Sequence, residues 1–160
     1  MTKLTHFDET GKAKMVDVSD KDVTLREAVA SGVITMNPET FRMIMHKEIV
    51  KGDVLGVAKI AGIMAAKKTS DLIPMCHPLA ITHIEVRFTP REEQSSIGVE
   101  ASVKTWHRTG AEMEALTAVA TAVLTIYDMC KAVDRGMVIS EVQLLKKSGG
   151  KSGTYEVNPR

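Results

Sequence analysis

Five short stretches of this chain carry side chains able to do chemistry, and most of them are cationic. Lys51-Gly52-Asp53 sets an ammonium group at the start of a helix, where the macrodipole disfavours positive charge and free backbone N–H groups attract anions. Such an arrangement is a small phosphate site if an anion binds and a solvated loop lysine if none does. Arg26 poses the same choice. Between Pro74 and Pro78 the chain holds Cys76-His77 in a segment that the prolines keep from becoming a helix or a central strand. His77 is thereby a rigid imidazole, able to act as general acid or base or to hold phosphate when protonated. Cys76 reads as a small packing residue, because no fixed base accompanies it.

Glu112-Met113-Glu114 opens the longest helical stretch, where acids complement the dipole. Thr109-x-x-Glu112 matches a capping box, which would account for Glu112 fully and leave Glu114 free. Two positions apart on a regular helix means roughly 200° of rotation, so both carboxylates should not share one pocket. Asp128 and Lys131 lie three residues apart on one helix face and can pair. An aspartate in the last turns opposes the dipole, which a functional role would explain, and Lys131 among other cations is expected to have a lowered pKa. Lys147-Ser148-Gly149-Gly150-Lys151-Ser152 suggests a phosphate-binding loop. However, G-x-x-x-x-G-K-[ST] needs a glycine where Leu145 stands, and too little chain follows for its helix. What remains is a flexible, cationic arm rich in N–H donors.

The elements that must position these groups follow from periodicity. Residues 1–14 have no sustained pattern and read as a tail ahead of a single domain spanning 15–160. Thr24–Met36 reads as a strand, and Asn37-Pro38 as a helix start. Val54, Val57, Ala58, Ala61, Met64 and Ala65 recur at helical spacing behind an Asp53 cap. Ile84, Val86, Phe88 and then Ile97, Val99, Ala101, Val103 alternate, giving a hairpin about a Pro90–Glu93 turn. A helix from 112 toward Gly136 and a strand through Val138, Val142 and Leu144 complete the order. That order predicts an α+β fold of the ferredoxin-like type, an antiparallel sheet with helices on one face. Both long helices are apolar nearly all round, so they are expected to pack against other copies of the chain as well.

Composition narrows the partners. With 160 residues, 44% of them hydrophobic, the chain can build one real core. Its 21 Lys and Arg nearly balance 20 Asp and Glu, so no global field points to nucleic acid or a membrane surface. The longest uncharged run, Ala115 to Tyr127, is shorter than the roughly 20 residues of a span. Six aromatic residues are too few for base-stacking platforms, and Phe88 and Trp106 match no RNA-recognition motif. The start of the chain lacks the apolar run of a secretory signal. With only Cys76 and Cys130, and no C-x-x-C pair, a reducing, cytoplasmic setting without a structural metal or cofactor is expected. A distance constraint remains: Glu114 and Lys131, 17 residues apart on one helix, are separated by about 25 Å. If both serve one reaction, the pocket must join the start of this helix in one subunit to its end in another.

Taken together, Lys51-Gly52-Asp53, the string from Asp71 through Pro78, Thr109 to Ala115, Leu124 to Val133 and Lys147 to Gly153 resemble the cyclic pyranopterin monophosphate synthase family of molybdenum-cofactor biosynthesis. The resemblance covers Met15 to Gly153, with Ala111 where that family often has valine. It implies a ferredoxin-like subunit in a homohexamer, a trimer of dimers with sites between subunits. It also implies a nucleotide substrate, 3′,8-cyclo-7,8-dihydroguanosine 5′-triphosphate, made by a radical GTP-cyclising enzyme that acts before it. The products would be cyclic pyranopterin monophosphate and pyrophosphate. By the same resemblance, Lys51, Asp128 and Lys131 are catalytic, and Arg26, Cys76, His77, Glu112, Met113, Glu114 and Lys147 bind substrate. A non-catalytic nucleotide sensor would use the same cations without turnover.

Overall fold

A computed structural model describes residues 8–157. Five strands and four helices run in the order β1 (Thr24–Thr35), α1 (Pro38–Met45), α2 (Val54–Lys67), α3 (Thr69–Leu72), β2 (Ile81–Arg91), β3 (Ser96–His107), α4 (Glu112–Cys130), β4 (Val138–Ser148) and β5 (Tyr155–Glu156). The first half of the expected tail, residues 1–7, lies outside the described residues. Its last part forms a local turn in which the Asp8 carboxylate accepts from Thr10 and Lys12.

The strands make one antiparallel sheet ordered β2-β3-β1-β4-β5. Its first four strands have the expected ferredoxin-like order, and β5 extends the β4 edge. Both long helices cover one face. Alanines and valines on α4 (Ala115, Ala118, Val119, Ala122, Val123) lie fully buried against Ala28, Ala30, Ala101 and Val103. Glycines bring the elements close: a Cβ at Gly32 of β1 would stand 2.7 Å from Val119 Cγ1 of α4, and one at Gly62 of α2 would stand 3.0 Å from the Ala118 carbonyl of α4.

Local signals mostly act as the sequence indicates. Asp53 caps α2 by accepting from the Gly56 N–H. Pro90 lacks a donor and sits in β2, an edge strand where none is needed. Asn37 precedes α1 without a side-chain cap bond; its backbone N–H instead donates to the buried Asp134 carboxylate, which also accepts from Thr40. The hairpin turn falls at residues 92–95, because Arg91 still pairs with Ser96.

α4 is 19 residues long and ends at Cys130, short of the expected Gly136. By length and composition it would suffice to cross a membrane, contrary to the expectation from its uncharged run. Here it is the central core helix, packed on α2 and on β1, β3 and β4. α2 also leaves a stripe uncovered: Val57, Ile60 and Met64, at helical spacing, stand 44%, 60% and 52% exposed. Among the described residues no helix covers the opposite sheet face, where Leu25 and Trp106 pair across β1 and β3 and are both exposed.

Candidate functional site

The candidate residues gather at the two ends of α4. At its start lies a cleft of about 420 Å³, bordered by Thr24, Arg26, Arg108, Glu112, Lys147 and Gly150. Beside it, sharing Lys21, Thr109, Gly110 and Glu112, a recess of about 370 Å³ is bordered by Cys76, His77, Met113 and Glu114. The larger cleft carries five cations, Lys21, Arg26, Arg108, Lys147 and Lys151, against three acids, Asp22, Glu27 and Glu112. The recess adds the apolar side chains of Val16, Val18 and Met75.

Lys147 reaches the cleft because β4 is bulged. Pairing shifts between Val29 and Ala30 and again between Ser31 and Val33, so that Ala30 faces Leu144 while Ala28 faces Lys147. Each of these shifts places an extra residue on β4, and Glu141 adopts φ +54° at one of them. Paired residues share a face, and Ala28 is buried under the helices. The extra residue at Leu145 therefore turns Lys147 toward α4, where regular alternation would have turned Lys146. Its ammonium group meets Glu112 Oε1 at 2.7 Å. The expected capping box is thus absent: Ala111 is the N-cap residue, no side chain caps the helix, and Glu112 spends its carboxylate on Lys147.

The Gly-rich arm is a hairpin loop rather than a free end. Lys146 and Lys147 pair with Glu156 and Tyr155, and the Val157 N–H donates to the Leu145 carbonyl. Gly149, Gly150 and Gly153 all have positive φ, which L side chains rarely adopt. Arg26 donates from Nε to the His107 carbonyl, from Nη1 to Gly149 and from Nη2 to Arg108, at 3.2–3.3 Å.

Glu114 points into the protein, only 3% exposed. Burial raises its pKa to about 7, with help from the Glu112 charge. Both carboxylates nonetheless border the recess, against the expectation from helical rotation. The reason is that Glu112 is the first helical residue and lies where cleft and recess meet. Burial, then the Glu114 charge, raises the Cys76 thiol above its usual range, which suits the packing reading and not a thiolate nucleophile.

At the other end of α4, Asp128 sits between two lysines. Lys131 Nζ lies 2.7 Å from Asp128 Oδ1, and Lys51 Nζ lies 3.4 Å from Oδ2 while donating to the Asp128 backbone carbonyl at 2.9 Å. Lys51 therefore satisfies one of the orphan carbonyls at the helix end. The hydrogen bond and charge of Lys131, then Lys51, hold the Asp128 carboxyl below its usual range. The Lys131 ammonium is raised by its hydrogen bond to Asp128 and by that charge, the reverse of the expected lowering. A carboxylate in contact outweighs more distant cations.

The structure thus brings Arg26, Cys76, His77, Glu112, Met113, Glu114 and Lys147 together and, separately, Lys51, Asp128 and Lys131. With α4 spanning 19 residues, the clusters are about 27 Å apart within one chain. Sequence reasoning missed Lys21 and Arg108, two further cations on the cleft wall, which Lys151 of the expected cationic arm joins. The usable signal was adjacency: Arg108 directly precedes the Thr109-Gly110 string, and Lys21 lies five residues before Arg26.

The fold is an antiparallel α+β sandwich, with a cleft whose cations suit a polyanionic small molecule and a separate lysine–carboxylate cluster. The chain belongs to the MoaC family, whose profile matches residues 15–150. It is 64% identical over 153 residues to the cyclic pyranopterin monophosphate synthase of Thermoanaerobacter sp. (strain X514), covering 96% of this chain and 97% of that one. It is 59% identical over 155 residues to the protein of that name from Heliobacterium modesticaldum, covering 97% and 98%. The one from Bacillus cereus (strain B4264) is 56% identical over 160 residues, covering 99% of each.

Proposed function

We propose that this chain is a lyase of molybdenum-cofactor biosynthesis. It converts 3′,8-cyclo-7,8-dihydroguanosine 5′-triphosphate, supplied by a radical GTP-cyclising enzyme, to cyclic pyranopterin monophosphate and pyrophosphate. The observation that carries this reading is that all ten candidate residues fall in two clusters at opposite ends of α4, one with cations for a triphosphate and one that pairs Lys51 and Lys131 with Asp128.

Closing a cyclic phosphate while pyrophosphate departs develops negative charge on oxygen, which fixed cations stabilise. Lys147, His77 and the cleft around Arg26 would hold the phosphates. Glu112, Met113 and Glu114, beside Cys76, would seat the guanine-derived ring, with Glu114 able to donate a hydrogen bond while protonated. Rearranging a purine to a pterin moves protons at several ring atoms. Lys51 and Lys131 would carry them, with Asp128 orienting both.

One substrate cannot span about 27 Å, so a complete site joins the α4 start of one subunit to the α4 end of another. The exposed stripe of α2 and the opposite sheet face supply surfaces for such an assembly, a homohexamer in this reading. Residues 15–160 act as its single catalytic domain, and the unpaired Cys76 and Cys130 suit the cytoplasm.

Incubation with the cyclised GTP derivative tests the proposal. One pyrophosphate released for each pterin formed is expected. Saturable nucleotide binding with neither product would overturn catalysis in favour of a sensor.

A further inference from the structure

Arg26 has the position of a phosphate ligand and the bonding of a structural staple. It stands on the helix-facing side of β1, two residues from Ala28, and borders the cleft. Three of its five N–H groups, one from each nitrogen, donate to the backbone carbonyls of His107, Arg108 and Gly149. One of those carbonyls ends β3, the next follows it directly, and the third belongs to the hairpin loop between β4 and β5. The loop is fitted around this side chain: a Cβ at Gly150 would collide with the guanidinium, and one at Gly149 would collide with the Leu25 carbonyl. Arg108 repeats the device beside it, donating to the Ser19 carbonyl.

We propose that Arg26 is a positioning residue, which fastens the Gly149-Gly150 loop to the end of β3 so that the loop's N–H groups and Lys147 are preset for an anion. Lys147 is the part that changes partner, leaving Glu112 when an anionic ligand arrives. A lysine in place of Arg26 keeps the charge but cannot make a three-way fork. The inference deepens the phosphate-cleft reading and rests on it for the role of the loop in binding.

The test uses the full-length protein and trypsin, with Lys151 in the loop as the cleavage site. Without ligand, Arg26→Ala and Arg26→Lys should both be cut after Lys151 roughly tenfold faster than the parent, the loss of one to two charge-assisted hydrogen bonds. Gly149→Ala keeps the arginine and displaces the loop, so it should give the same acceleration. Inorganic pyrophosphate should slow cleavage of the parent and protect the variants less. In turnover, Arg26→Ala and Gly149→Ala should raise KM together, roughly tenfold, with kcat within about twofold. Parental cleavage of Arg26→Ala would overturn the staple. So would Arg26→Lys restoring KM while Gly149→Ala leaves it unchanged, the pattern of a direct phosphate ligand. Absence of turnover in the parent would defeat the proposed function, and the ligand-free proteolysis would still decide the staple.

Discussion

Glu114→Gln isolates the energetic consequence of burying an acid at the start of α4. The carboxyl is 3% exposed, and burial lifts its pKa from 4.5 to about 7. Between those values the folded chain holds a proton that the unfolded chain has released, so stability falls as pH rises. At about 1.4 kcal/mol for each pH unit, the loss is complete above pH 7 and amounts to about 3 kcal/mol. Glutamine keeps the shape and a donor and has nothing to ionise. Urea unfolding of parent and variant at one protein concentration, from pH 4.5 to 8.5, measures the difference. The variant should gain nothing on the parent at pH 4.5 and become the more stable by about 3 kcal/mol at pH 8. A gap between the two proteins that does not change with pH would refute the argument, since an acid already ionised when folded, or equally protonated in both states, gives no slope.

Two further outcomes follow from the other cluster and from the surface. Asp128→Asn removes the hydrogen bond and charge that raise Lys131, so the alkaline limb of the kcat profile should move to lower pH and kcat should fall roughly 10²-fold, read by pH-dependent pyrophosphate release. An unmoved limb would separate Asp128 from Lys131 in the reaction. Ile60→Glu with Met64→Glu charges the open stripe of α2 and should shift the protein to a smaller assembly on sizing chromatography, with activity lost in parallel. An unchanged elution volume would show that this stripe faces solvent.

The sheet and its helices were legible because their signals are periodic and local. Alternation gave β2 and β3, helical spacing gave α2 and α4, and Asp53 caps as its type suggests. The strings around Lys51, His77, Glu112, Asp128 and Lys147 were legible as clusters of unusual chemistry. What was illegible depends on partners distant in the chain. Glu112 fits a capping box by spacing, yet it pairs with Lys147, 35 positions away, and that pairing depends on bulges in β4 that no alternation pattern records. The direction of the Lys131 shift turns on which charge makes contact, and Asp128 does. β5 has two residues and therefore no period, so the loop it closes looked like a free arm. Arg26 was recognisable as a cation of interest, but its three carbonyl partners come from the end of β3, the residue after it and a glycine turn.

The central claim is that each working site takes the start of α4 from one subunit and its end from another, and mixed assemblies test it most directly. Lys131→Ala disables the end and Lys147→Ala the start, so each uniform assembly should be inactive. When the two chains carry different tags, are co-expressed and are purified through both tags, random assortment leaves about a quarter of the sites with both lysines intact. Activity should return to about a quarter of the parental value. Mixed assemblies as inactive as the uniform ones would contradict the account, because a site built within one chain cannot be rescued by its neighbour.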